Sequence, residues 1–247
     1  MLIYFMRKFV TLTSLLSLFF MIIPNVNAAI ITTGCTSTAS CSLDELYNGG
    51  TIQINDVLFN GWTLNTSFDD QGLDGSEFLV TANDEVSGSL GLNFLADPAL
   101  SFDILEYLFD FNVSIVSPSS RLFTNMALEL LGSSITDDAF VEVNSDLDIG
   151  SGFGNGDLLN VTDVLNSVDD VSMDSILLAS LSSIAVEADI QMEQFDTNLP
   201  SLSEFQYTFT IADAPTTTVP EPSVFLLLLL GMVGIFINQK KNFIIHL

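Results

Sequence analysis

The middle of the chain is written in period two. Leu105, Tyr107, Phe109, Phe111, Val113 and Ile115 alternate with Glu106, Leu108, Asp110, Asn112, Ser114 and Val116. Ile184, Val186, Ala188, Ile190 and Met192 alternate with Ala185, Glu187, Asp189, Gln191 and Glu193. Phe205, Tyr207, Phe209 and Ile211 do the same against Gln206, Thr208, Thr210 and Ala212, and Leu90, Leu92 and Phe94 form a shorter run. Successive side chains of a strand point to opposite faces, so each run presents one apolar and one wet face, as antiparallel strands do. Several such runs, joined by Gly, Asn, Asp and Pro turns, predict an all-β domain, an antiparallel β-sandwich or jelly roll. Tyr107, Phe109, Phe111, Phe205, Tyr207 and Phe209 are its expected core. Leu158 to Leu181 fits either a short helix or an excursion between strands.

Both ends of the chain break this pattern. Arg7 and Lys8 precede an uncharged run from Phe9 to Ile23, then Pro24 and a small-residue site at Val26-Asn27-Ala28. Residues 1–28 therefore read as a secretory signal peptide, with an uncleaved anchor as the alternative. Near the other end, Val219-Pro220-Glu221-Pro222-Ser223 is followed by 14 uncharged residues, Val224 to Ile237, and then by Lys240-Lys241. As a helix that run spans roughly 21 Å, short of a bilayer core of roughly 30 Å. Snorkelling lysines would lengthen its reach and face the cytoplasm. A plain short anchor and a buried core helix are the other readings.

This order of polar hinge, apolar run and basic stop resembles the PEP-CTERM sorting signal of bacterial exosortase substrates. The resemblance covers only about the last 30 residues. It implies an exosortase-type partner that processes the chain at Val219, Pro220, Glu221 and Pro222, and a transient membrane anchor before that cut. Residues 220–247 form the sorting segment, 213–219 a linker, and 29–212 the exported domain. The start of that domain, two cysteines followed by "SLDELYNGGTIQINDVLFNGW", also resembles a recurrent group of exported PEP-CTERM proteins, which implies a shared fold more than a shared function. Within it, Ser42 to Glu45 has capping-box spacing, Asn48-Gly49-Gly50 is a turn, and Thr51 to Phe59 reads as one strand.

Charge narrows the partners. Between Ala29 and Pro220 lie thirty of the 31 acidic residues and one basic residue, Arg121, for a formal charge of about −29. Such a field repels nucleic acid and anionic lipid. Cys35 and Cys41, an isolated pair in an exported chain, are expected to form a disulfide worth about 2 kcal/mol. Arg121 is expected to pair with a nearby carboxylate at the surface.

The chemistry left open is narrow. The only histidine is His246, behind the apolar tail, and the domain has no lysine. Triad hydrolysis, Schiff-base chemistry and His/Cys zinc sites are excluded in their usual forms, and no catalytic residue is expected. Calcium is the one cofactor the residues suggest. Asn144, Asp146 and Asp148, read here as a turn cluster, are the candidate ligands, although the glycine and the terminal Glu of a calcium loop are not where that motif needs them. Three functions stay open. The first is a non-enzymatic cell-surface or extracellular-matrix protein that meets extracellular polysaccharide. The second is a carbohydrate- or calcium-binding lectin-like module, and the third a carboxylate-dependent glycoside hydrolase.

Overall fold

The computed structural model describes residues 29–68, 73–83, 88–135, 139–150, 152–154, 158–164, 171–194 and 199–214. The signal-peptide segment 1–28 and the sorting segment 220–247 lie outside them. Contacts divide the chain after Ala212, and of the second unit only Asp213 and Ala214 are described.

The first unit is an all-β sandwich of two antiparallel sheets. Its elements are β1 (Ile30–Thr33), β2 (Ser40–Ser42), α1 (Leu43–Tyr47), β3 (Thr51–Ile54), β4 (Val57–Phe68), β5 (Phe78–Asn83) and β6 (Ser89–Ser101). Then follow β7 (Ile104–Ile115), β8 (Arg121–Ser134), β9 (Ala139–Asp148), β10 (Leu158–Val164), β11 (Met173–Leu181), β12 (Ser183–Gln194) and β13 (Ser201–Asp213). One sheet has seven strands in the order β1-β3-β4-β7-β12-β9-β10, and the other has six in the order β11-β8-β13-β6-β5-β2. From β6 onward the chain repeatedly crosses between the sheets, so strands distant in sequence become neighbours. This interleaving gives every inward face the same packing partner, the other sheet.

The core is aromatic, as the alternation predicts. Tyr107, Phe109, Phe111, Phe205, Tyr207 and Phe209 are all fully buried. Phe94 of one sheet stacks on Phe205 at 4.7 Å, and Trp62 of the other stacks on Phe111 at 4.6 Å. Phe59 meets Phe209 edge-on across the two sheets at 5.6 Å. Each such ring stabilises the fold by roughly 1.5–3 kcal/mol through burial. One polar side chain sits among them. Ser145 of β9 is fully buried, and its hydroxyl shares a hydrogen bond with the Tyr207 hydroxyl.

The N-terminal corner follows its local signals. Ser42 caps α1: its Oγ accepts from Glu45 N at 3.2 Å while Glu45 Oε2 accepts from Ser42 N at 2.9 Å. The other oxygen of Glu45 accepts from Thr36 N at 2.8 Å, which ties the helix to the cysteine loop. These bonds, led by the Thr36 hydroxyl, hold the Glu45 carboxyl below its ordinary range. Cys35 and Cys41 form a disulfide, with Cα atoms 5.2 Å apart. The bridged loop carries the chain from β1 at the edge of one sheet to β2 at the edge of the other.

Three expectations are corrected or resolved. Thr51 to Phe59 is two strands, not one: Ile54 pairs with Val57 across the turn residues Asn55 and Asp56. Asn55 adopts φ 56°, a left-handed conformation that asparagine tolerates. The signal was a slip in phase, because Ile52 and Ile54 are buried together with Val57 and Phe59. Asn144, Asp146 and Asp148 do not form a turn but lie along β9, whose inward positions are Val141, Val143, Ser145 and Leu147. The inward serine hid the alternation. The stretch Leu158 to Leu181 holds β10 and β11, with 165–170 outside the described residues.

Candidate functional site

The wet face of the seven-stranded sheet carries eight of the domain's thirty carboxylates. On β7, β12 and β9 the apolar alternates turn inward, which leaves Glu106, Asp110, Glu187, Asp189, Glu193, Glu142, Asp146 and Asp148 on the other face. Register then sets them side by side. Glu187 stands opposite Asp110 on β7 and opposite Asp146 on β9, which makes a row of three acids across three strands. In the next row Asp189 lies between Leu108 and Asn144, and in the one after Gln191 lies between Glu106 and Glu142. Asn144 continues its row to Asn160 of β10.

Amides and backbone N–H groups satisfy part of this charge. Gln191 Nε2 donates to Asp189 Oδ2 at 2.5 Å. Asn160 Nδ2 donates to Asn144 Oδ1 at 2.5 Å and also to Glu142 Oε1. At the end of β9 the glycines of 150–154 fold back onto the strand. Asp148 Oδ1 accepts from Gly150 N at 2.7 Å and from Gly152 N at 2.8 Å, and Gly154 N donates to Asp146. These glycines have φ between 83° and 109°, where a side chain would be strained. One oxygen each of Asp110, Asp146 and Asp189 is buried without a hydrogen-bond donor among the described residues.

Two carboxyls of this face are held above their ordinary range. Burial first, then the carboxylates of Asp110, Asp146 and Asp189, pushes the Glu187 carboxyl above its ordinary range. Burial also raises Asp189, with Glu106 and Glu142 adding to the rise and the Gln191 hydrogen bond opposing it. The one cation of the domain is elsewhere: Arg121 Nη1 pairs with Asp56 Oδ1 at 2.7 Å. That pair ties the start of β8 in one sheet to the β3–β4 turn of the other, so its role is structural.

A cleft of about 350 Å³ opens at the end of this face. Its lining includes Ala185, whose neighbours across the strands, Asn112 and Asp148, line it too. A small residue stands here between two longer polar ones, and Ile149, Gly150 and the Leu181–Ser183 turn complete the lining.

The candidate calcium residues thus share one face but do not converge. Alternate residues of a strand stand roughly 7 Å apart, too far for three side chains to close on one ion from a single strand. Among the described residues no group of three or more His, Cys, Asp or Glu side chains is placed to hold a metal. Val219, Pro220, Glu221 and Pro222 lie outside the described residues. Sequence reading missed the row Asp110–Glu187–Asp146 as a unit. Asp110 and Glu187 were legible as outward alternates, whereas Asp146 was read as a turn residue, and only strand order and register set the three side by side.

Comparison with known proteins adds little to this geometry. No protein-family model matches the chain, and no curated protein matches it. Among solved structures, the chain is similar to the enzymatically active domain of bacteriophage CBA120 tailspike protein 4, at 9% identity and a TM-score of 0.25. That alignment covers 61% of this chain and 19% of the tailspike chain, and a likeness so slight carries no argument about fold or activity.

Proposed function

We propose that this chain is an exported, non-enzymatic cell-surface or extracellular-matrix protein that acts through the carboxylate face of its β-sandwich. On this reading residues 1–28 are removed on export. The apolar segment Val224 to Ile237 holds the precursor in the membrane until an exosortase-type enzyme cuts near Val219-Pro220-Glu221-Pro222. The observation that carries the reading is the row Asp110–Glu187–Asp146 with its flanking acids. It is a broad negative surface with no imidazole, lysine or thiol in the domain to turn it into a nucleophilic site. Such a surface is hydrated, repels nucleic acid and anionic lipid, and suits contact with hydroxyl-rich extracellular polysaccharide. The Cys35–Cys41 bond fits an oxidising compartment outside the cytoplasm.

A binding module is the second reading, and the cleft between Asn112 and Asp148 favours it. Against a lectin-like stacking platform stands the use of the aromatic rings. Among the described residues Phe153 is the exposed aromatic, and the large ring clusters are spent on the core.

Fractionation of producing cells separates these readings. Surface or matrix protein predicts recovery of the domain outside the cytoplasmic membrane and no release of reducing ends from polysaccharides. Hydrolysis that is lost in Glu187→Gln would overturn the non-enzymatic reading. Saccharide binding abolished by Ala185→Trp, which fills the cleft, would favour the module.

A further inference from the structure

Four strands bring one row of outward residues to the cleft. Asn60 of β4 stands opposite Asn112 of β7, Asn112 opposite Ala185 of β12, and Ala185 opposite Asp148 of β9. The last three line the cleft together with Ser182, Ser183 and Gly150. Asn112, Ser182 and Ser183 are exposed, and neither the Asn112 amide nor the two hydroxyls make a hydrogen bond among the described residues. Gly61 of β4 leaves room for that amide. A Cβ there would lie 2.3 Å from Asn112 Nδ2, so any side chain at 61 would displace it.

The chemistry of the lining narrows what fits. Asp148 is fixed by Gly150 N and Gly152 N and keeps its negative charge. The next row along the same strands is Asp110–Glu187–Asp146. That field repels phosphates and uronates. A bare cation finds a single carboxylate on the lining, too few for calcium, and an aromatic ligand finds no ring. A neutral sugar finds its complement. Its hydroxyls both donate and accept, as do a free amide and free serine hydroxyls. Ala185, Ile149 and Leu181 offer carbon surface to its C–H groups. Asn and Ser are short and adaptable in hydrogen bonding, so ordering them on a ligand costs little. The volume of about 350 Å³ stands at the lower end of ordinary ligand sites, room for a sugar ring and part of its neighbour in a chain.

We propose that this cleft binds an uncharged hexose unit, plain or N-acetylated, of an extracellular polysaccharide, held by the Asn112 amide and the Ser182 and Ser183 hydroxyls. The proposal rests on the reading of this domain as one that meets polysaccharide, and it adds the sugar class and the residues that take it.

Calorimetric titration of the full chain, purified in detergent, tests this. The probes are short oligosaccharides of glucose, galactose, mannose and N-acetylglucosamine, with oligogalacturonate as the charged control. Saturable binding of a neutral probe is expected, and none of the control. Asn112→Ala should weaken that binding about tenfold, the loss of a hydrogen-bonding group. Ala185→Trp should abolish it. Asn112→Ala, at an exposed position, decides the matter by itself if Ala185→Trp does not fold, as read from a thermal melt. Failure of every neutral probe to bind the folded wild type, full binding by Asn112→Ala, or binding of oligogalacturonate in the same cleft would overturn the proposal. The titration does not depend on export. A domain recovered at the cell surface that binds no probe strikes the cleft alone, and a chain that binds but stays in the cytoplasm strikes the surface reading alone.

Discussion

Replacing Glu187 by Gln should make the protein more stable. Glu187 is half-buried between Asp110 and Asp146, with no cation beside it among the described residues. Like charges directly opposite across strands destabilise by roughly 0.2–1 kcal/mol per pair. Two such pairs put the gain from Glu187→Gln at about 1 kcal/mol, since the amide keeps the shape and drops the charge. For a domain of this size that is a rise of roughly 2–4 °C in Tm at pH 7. The effect must depend on pH with a definite sign. The Glu187 carboxyl is raised in the native state, so between neutrality and its unfolded value, near 4.3, the native chain binds the extra proton. Wild-type stability therefore rises as pH falls through that window, and the advantage of the Gln variant shrinks to nothing near pH 4. Paired melts at pH 7 and pH 4, by circular dichroism, make the test. A Gln variant no more stable than wild type at pH 7, or a gain undiminished at pH 4, would refute the reasoning. Below pH 4 the trend reverses, because Glu45 and Asp74 have carboxyls held low by hydrogen bonds and lose that contribution on protonation.

Further expectations follow from single contacts. Arg121→Gln should cost about 0.5–1 kcal/mol at low salt by breaking the half-buried pair with Asp56, and the loss should fade in 1 M salt, as read by urea denaturation. Tyr207→Phe should cost about 1–2 kcal/mol because it strands the buried Ser145 hydroxyl, and Ser145→Ala should cost a similar amount. The double variant should then cost less than the sum of the two, measured as a denaturant cycle. Gly91→Ala should cost about 2 kcal/mol or more, since a methyl there would lie 2.3 Å from the Tyr207 carbonyl oxygen, and a wild-type melt would contradict it.

Period-two patterning makes the sandwich legible in the sequence itself. Where the pattern is strong, as at Leu105–Ile115 and Ile184–Met192, strand, inward face and buried rings all follow. It fails where an inward residue is polar, at Ser145, and where a two-residue turn shifts the phase, at Asn55-Asp56. The site is half legible. The outward carboxylates of β7 and β12 can be named from alternation alone, those of β9 cannot, and the neighbours of all of them come from strands distant in sequence. Glu187 meets Asp110 and Asp146 because β12 lies between β7 and β9. Nothing in a local pattern encodes that order. The exposure of Leu177 on β11 is hidden for the same reason, because an apolar run reads as core until its strand is found at a sheet margin.

The central claim is that the acidic domain reaches the cell exterior freed of both apolar ends, and the mass of the chain recovered from producing cells tests it most directly. Lys8, Lys240 and Lys241 are the only lysines, and Arg121 the only basic residue between Ala29 and Pro220. Cleavage near Ala28 and near Glu221 predicts a surface chain with no lysine, which a lysine-specific protease leaves whole after denaturation and trypsin cuts once, after Arg121. Recovery of a dominant surface form that still carries Lys240 and Lys241 would contradict the account and leave a plain membrane-anchored protein.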